Sequence, residues 1–209
     1  MAPRSEPKVA IDTEALDPRR RYQLLTSLVV PRPIGWVSTW SEEDVPNLAP
    51  FSYFAALSSS PMLVGVSVGI RRDGPKDTLV NIRRTDAFCV NVVGESLLDK
   101  MNATSANVPH GVDEFDLAGL EYGAAHTVRA PYVVASPAVL ECLVSQEVEL
   151  EGGHNVLVIG HVVGVLLDPS LAPDGEDLSI DPLRLRPVGR LGRSAYAIPG
   201  EVRSIPRPR

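Results

Sequence analysis

The chain reads as a mainly β protein, an antiparallel β-barrel with helices packed outside it. Three observations carry that expectation. Most apolar runs are short, β-branched and bounded by Pro, Gly, Asn or Asp, which is strand chemistry. Only two stretches, 76–86 and 95–106, show solid helical periodicity. The order is strands, helix, strand, helix, then a run of strands, whereas a doubly wound sheet would alternate strand and helix throughout. No glycine-rich GxGxxG follows a strand, and no internal repeat occurs.

Composition bounds the answer further. The 209 residues are 44% hydrophobic and 22% charged, enough to build a real core in one domain. We expect an N-terminal arm over 1–18, a barrel domain over 19–198 and a tail over 199–209, where IPRPR is expected to be disordered. The formal net charge is -6, which argues against nucleic acid, since phosphate-backbone binding needs a basic face. No run approaches the ~20 apolar residues of a membrane span. The first twenty residues lack the apolar centre of a signal peptide, so a cytoplasmic protein is expected. Cys89 and Cys142 lie in apolar strand-like runs without metal-ligand spacing, which suits buried free thiols and no zinc, although one disulfide is also compatible with the sequence.

The elements follow in order. Residues 1–15 read as a loose arm. RRRYQLLTSLVV (19–30) predicts one helical turn and then a strand, with Tyr22, Leu25 and Leu28 inward. IGWVSTW (34–40) is a strand and SEEDVPN a turn. LAPFSYFAALSS (48–59) is an edge or irregular strand, because Pro50 has no N–H for a central ladder. MLVGVSVG (62–69) alternates Val64, Val66 and Val68 with the small Gly65, Ser67 and Gly69, which can mark close approach by a ligand or another backbone. The 76–86 helix should be capped by Asp77 or Thr78. AFCVNVV (87–93) is a buried strand. The 95–106 helix should bury Leu97, Leu98 and Met101. Residues 107–125 form a looping insertion with a short helix near 112–117. HTVRAPYV leads into strand 138–150, which forms a hairpin with 156–167 across the EGGHN turn. Residues 168–182 are a polar loop, and 184–198 close the domain.

Two constellations could carry chemistry. Arg71, Arg72 and Lys76 lead into a helix start at Asp77 and Thr78, where free N–H groups and the positive dipole end favour an anion such as phosphate. A charged, solvated loop with an ordinary cap fits the same residues. Ser38 and Thr39 lie across a turn from Asn47 and Ser52, with backbone groups freed by Pro46 and Pro50. They suit the polar edge of a flat heteroaromatic ring, or equally a hairpin with surface hydroxyls. His154 in the GGHN turn reads first as a turn residue. Ser58, Ser59 and Ser60 lack a nucleophile elbow, and no carboxylate pair stands out.

Several of these segments, in this order and spacing, resemble the flavin reductase-like, FMN-binding split-barrel family. They are RYQLLTSLVVPRPIGWVSTW, PNLAPFSYFAALSSSPMLVGVSVG, KDTLVNIRRTDAFCVNVV, LVIGHVVGV and LRPVGRLGRSAY. The resemblance spans roughly 20–197. It implies a Greek-key-like split barrel that dimerises with FMN, or FAD, near the subunit interface. It also implies NADH or NADPH as co-substrate and a partner oxygenase as one destination for reduced flavin. A non-catalytic flavin or haem carrier on the same barrel is the alternative. A pyridoxamine-phosphate oxidase-like enzyme shares the barrel type, but WVST and NLAPFS speak against it. Residue by residue, Trp36, Val37, Ser38 and Thr39 would line the ring and ribityl chain. Asn47, Leu48 and Ala49 would meet the ring edge through backbone atoms. Ser52, Lys76, Asp77 and Thr78 would surround the ribityl and phosphate end, with Arg71 near the phosphate. Asn102, Thr104 and Ser105 would approach from the second helix, and Arg190 and Tyr196 would cover the pocket, from the partner subunit in one arrangement. The His154 turn is similar to the GDH turn of two-component flavin reductases, with Gly153 in place of the Asp, which weakens a nicotinamide role.

Overall fold

The computed structural model describes residues 8–72, 74–173 and 175–208. Helix α1 (Pro18–Leu28) starts where the Asp17 carboxylate accepts the Arg20 N–H and Pro18 fills the first helical position. It runs three turns, and residues 29–30 form no strand, in contrast to the single turn and strand expected over 19–30. Its apolar stripe also departs from expectation: Tyr22, Leu25 and Leu28 are 61%, 52% and 71% exposed, and only Thr26 is buried. Arg32 explains how a helix can be held on its polar side. Arg32 is 6% exposed, and its guanidinium donates to the Thr26 and Val29 carbonyls at 2.7 and 2.8 Å. It reaches on to the Leu191 carbonyl at 3.2 Å and the Ser52 hydroxyl at 3.4 Å. Of the carbonyls at the helix end, those of Thr26 and the C-cap Val29 are thereby satisfied.

Strand β1 (Arg32–Pro33) is short. The main sheet contains β2 (Gly35–Trp40), β3 (Pro46–Phe51), β4 (Phe54–Ser59), β5 (Met62–Arg71), β6 (Gly74–Pro75) and β7 (Ala87–Asn91). Its last members are β10 (Ala138–Glu149) and β11 (Asn155–Leu167), which follow a small pair, β8 (Tyr122–Ala124) and β9 (Pro131–Val133). The spatial order is β3-β2-β7-β10-β11-β5-β4, with β6 beside β5, and every pairing is antiparallel. The expected 48–59 strand is in fact two, β3 and β4, at opposite ends of this path. Pro50 sits in β3, the terminal strand of this path, where a missing N–H is tolerated. The long β10–β11 hairpin forms as expected. A second ribbon, β12 (Gly189–Arg190) and β13 (Tyr196–Ala197), pairs with β1.

The sheet curls around Val37, Phe51, Val64, Val66, Val68, Phe88, Val90, Val156 and Val158, with Leu79 and Ile82 of helix α2 (Asp77–Thr85) plugging one end. The small face of β5 serves packing: a Cβ on Gly65 would lie 2.9 Å from Leu57 and 3.2 Å from Leu157. Gly160 on β11 is needed for a similar reason, since a Cβ there would fall 2.5 Å from the Phe88 ring. Cys89 and Cys142 are buried and free. Burial pushes both thiols up, Cys142 to about 12.

β2 is buried on both faces. Val37 looks into the barrel, while Trp36 packs outside with Leu48, Leu97, Met101 and Phe115. That outer layer comes from a 3-10 turn (Glu95–Leu97) running into α3 (Leu98–Ala103), and from α4 (Glu114–Leu117) in the 107–125 insertion. Helix α5 (Pro182–Leu185) precedes the closing ribbon, and residues 199–208 carry no regular structure. Among the described residues, no helix is long and apolar enough to cross a membrane.

Candidate functional site

A cleft runs along β3, between that strand and the segment after α3. One limb, about 90 Å³, is lined by Asn47, Ala49, Arg71, Lys76, Thr78 and Asn107 among others. The second limb, about 190 Å³, is lined by Ser52, Asn102, Arg190 and Tyr196. Pro50 and Ser105 border both, so the two limbs adjoin along β3.

The first limb ends at the start of α2. Lys76 is the N-cap and offers no side-chain cap, in contrast to the expected Asp77 or Thr78 cap. Both of those residues lie inside the first turn, and the Thr78 hydroxyl turns away to donate to Asn47 Oδ1 at 3.0 Å. The leading N–H groups of the helix are therefore left for solvent or a ligand. Lys76 and Arg71 make no carboxylate ion pair among the described residues. The Lys76 ammonium lies 5.1 Å from the Phe51 ring centroid. Burial, then the neighbouring Arg71 charge, pushes its pKa down. Two like charges held together without a counter-anion make an anion site.

Asn47 is the pivot of a buried network. Its amide donates to both Glu114 carboxylate oxygens at 3.1 and 2.9 Å, and the Leu48 N–H donates to the same carboxylate at 2.9 Å. Asn47 Oδ1 accepts from Thr78 and lies 3.3 Å from the Thr39 hydroxyl, which accepts from Asn81 at 3.0 Å. Burial pushes the Glu114 carboxyl up, against the pull of the Leu48 N–H and the Asn47 amide. At the cleft mouth, Asp77 and His110 meet at 2.7 Å and Arg71 donates to Asn107 at 3.3 Å. Both contacts hold the 107–113 segment against the helix start. The bond to Asp77 raises the His110 pKa.

In the second limb, Arg190 stacks 4.4 Å from the Tyr196 ring centroid and donates to its hydroxyl and to the Arg193 carbonyl. The Tyr196 hydroxyl donates to Asn102 at 3.2 Å.

Of the residues singled out in the sequence, the fold brings Asn47, Ala49, Ser52, Arg71, Lys76, Asp77, Thr78, Asn102, Thr104, Ser105, Arg190 and Tyr196 to this cleft. It does not bring Trp36, Val37, Ser38, Thr39 or Leu48 to its wall. All five are 0% exposed, because β3 and the outer helices cover β2. Their side chains serve the frame. Trp36 Nε1 donates to Thr104 at 2.9 Å, and the Ser38 hydroxyl donates to the Pro131 carbonyl at 2.6 Å. His154 is exposed in the hairpin turn and does not line the cleft; its carbonyl accepts the Ile70 N–H at 2.8 Å. The sequence reading passed over Glu114 and Asn107. Glu114 carried one usable signal, the DEFDL start of a short helix in an otherwise irregular insertion.

Comparison with known proteins agrees with this geometry. The model of the flavin reductase like domain matches residues 27–183. An uncharacterized protein of Deinococcus radiodurans is 38% identical over 191 residues, covering 88% of this chain and 83% of its own length. Nitrilotriacetate monooxygenase component B from Bacillus cereus is 30% identical, superposes with a TM-score of 0.91, and is covered completely by 96% of this chain. A protein of Shewanella frigidimarina described as a flavin reductase with a split barrel domain is 24% identical. It has a TM-score of 0.82 over 94% of this chain and 96% of its own, and shares the fold. The antiparallel path open between β3 and β4 is thus a split barrel, and the chain belongs to the family of flavin reductase like domains.

Proposed function

We propose that this chain binds FMN in the β3 cleft and works as an NAD(P)H-dependent flavin oxidoreductase. The observation that carries the reading is the pair Lys76 and Arg71 beside an uncapped helix start. A phosphate supplies the anion that these cations lack, and the leading N–H groups of α2 receive it. Asn47, fixed by Glu114, and the backbone at Ala49 and Pro50 then face the flavin body, with Ser52 and Ser105 further along. When bound, FMN supplies the redox chemistry by taking a hydride from NADH or NADPH at N5. The residues of this chain bind and orient, and no side chain has to act as general acid or base. The same cleft is to be tested with FAD.

The name of the similar Bacillus cereus protein, a monooxygenase component, supports an oxygenase as destination for reduced flavin. The exposed stripe of Tyr22, Leu25 and Leu28 supports a homodimer, which light scattering on the purified protein tests directly. For the main reading, purified protein is mixed with FMN and then with NADH or NADPH under anaerobic conditions. A perturbed flavin spectrum and bleaching faster than that of free flavin are expected. No bound spectrum removes the reading. Tight binding without faster bleaching supports a carrier instead.

A further inference from the structure

We propose that residues 105–113 form a flap over the phosphate end of the cleft, and that its opening sets the rate at which flavin enters and leaves. The inference rests on the flavin reading of the cleft and adds how the cofactor is retained and exchanged.

Both flanks of the segment are fixed. Thr104 is 3% exposed and accepts the Trp36 indole N–H at 2.9 Å. Glu114 is 6% exposed and holds the Asn47 amide and the Leu48 N–H. The residues between them are held differently. Their backbone hydrogen bonds stay inside the segment or run to α3 and α4, and among the described residues none reaches the sheet. Val108 and Val112 are half-buried and lie outside the core clusters. Gly111 takes a φ of +80° with open space where a Cβ would stand, so the turn after Pro109 packs against no neighbour there. A span with few apolar contacts between two rigid anchors opens locally at low cost.

Two side-chain ties lay this span across the helix start. His110 Nδ1 meets the Asp77 carboxylate at 2.7 Å, and Arg71 donates to Asn107 at 3.3 Å. Ser105, Ala106, Asn107 and Val108 thereby wall the limb that holds Lys76 and Thr78. Both ties run to the anion site. Arg71 spends one N–H on Asn107 and keeps others for a phosphate, so an anion that fixes the guanidinium also steadies the flap. Asp77 puts a negative charge in the first turn of α2, where the phosphate is to be received. Pairing with His110 offsets that charge. A filled site and a closed flap therefore favour each other, and the coupling acts equally in both directions.

The fastening is made to yield. The His110 side chain is 75% exposed, which puts its pair with Asp77 among the weak surface ion pairs. The titratable groups facing His110 are Asp77 on α2 and, with a smaller effect, Glu43 in the β2–β3 turn. Both are acidic and favour the imidazolium. Ser41, Asn47 and Asn81, which share the small hollow beside His110, are neutral, and Lys76 and Arg71 stand at the same helix start. The tie is complete below the ordinary histidine pKa and is lost as pH rises through the raised one. The flap is thus fast in mild acid and loose in mild base.

The test follows FMN binding by stopped-flow quenching of flavin fluorescence over a range of FMN concentrations, which yields association and dissociation rates separately. At about pH 5.5, below the ordinary histidine pKa, H110A is expected to raise both rates about two- to fivefold over wild type, the range that losing one surface pair allows. Wild type should show the same rise as pH passes through the His110 titration, and H110A should lack that step. Unchanged rates overturn the proposal. So does a rise in dissociation alone, which would make His110 a plain contact of the bound state and no fastener. Amide exchange read by mass spectrometry gives a second measure. Exchange across 105–113 should be faster in H110A apoprotein than in wild type and slower once FMN is bound, with β7 and β10 unmoved. Exchange that ignores H110A overturns the proposal as well. If wild type binds no FMN, the flavin reading fails separately, and the comparison of the two apoproteins still decides whether His110 fastens the segment.

Discussion

Replacing Lys76 by Ala separates a phosphate site from a structural lysine. In the free protein the ammonium is half-buried, beside Arg71, and has no carboxylate partner. Removing it relieves desolvation and repulsion. It forfeits one cation–π contact with Phe51 at 5.1 Å, worth about 0.5–1 kcal/mol. The two effects oppose each other, so the urea midpoint of the apoprotein should move by less than about 1 kcal/mol of stability. With FMN bound, the same residue makes a charge-assisted hydrogen bond worth about 1.5–3 kcal/mol, or roughly ten- to 150-fold in affinity. Riboflavin lacks the phosphate and should lose less than about threefold. The assay is flavin fluorescence quenching with both ligands, alongside urea unfolding followed by tryptophan emission. Equal losses for FMN and riboflavin would refute the phosphate role, as would a strongly destabilised apoprotein. The lowered pKa adds a pH signature. Above that value Lys76 is neutral in the free protein, and FMN binding must take up a proton. FMN affinity should therefore fall with rising alkaline pH in wild type and fall less in K76A.

Three further outcomes follow from the frame around the cleft. Trp36→Phe removes the donor to Thr104 and some buried volume; it should cost about 1–3 kcal/mol in urea unfolding and weaken FMN through the displaced 104–107 wall. Glu141 is fully buried and accepts the His126 N–H at 2.7 Å, the Thr127 N–H at 2.9 Å and the Thr127 hydroxyl. Burial alone would raise its carboxyl, but these donors outweigh it and hold the pKa below the ordinary value. Its contribution is therefore present above the ordinary carboxylate pKa and is lost as pH falls through the lowered one, and E141Q should flatten that acid limb of the stability curve. His110 should titrate above an ordinary histidine, with D77N returning it to normal in an NMR titration. Its tie to Asp77 is fully present below the ordinary histidine pKa and lost as pH rises through the raised one, so the 107–113 segment should show faster amide exchange at high pH.

The barrel was legible because strand periodicity and turn chemistry are local signals. The β10–β11 hairpin and the helices on either side of β7 came from patterns within a dozen residues. The two ends of the sheet were harder. Pro50 announced an edge, but only tertiary pairing shows that β3 and β4 lie at opposite ends of one path. The motif WVST meets a related limit. A strand buried on both faces looks the same in sequence as one that faces a cleft, and only the outer layer of α3 and α4 tells them apart. Glu114 and Asn107 escaped notice because their importance arises from where the insertion folds back. The exposure of Tyr22, Leu25 and Leu28 reflects a contact that no periodicity encodes, the long reach of Arg32.

That single arginine has a consequence for how the protein tolerates change. It clasps the end of the first helix, the floor of the cleft at Ser52 and the turn within the closing ribbon at Leu191, three places far apart along the chain. Trimming the N-terminal region past residue 17 would therefore reach well beyond a dispensable extension. It would strand a buried positive charge and loosen the wall that carries Arg190, although no residue of the cleft besides Tyr22 had been deleted.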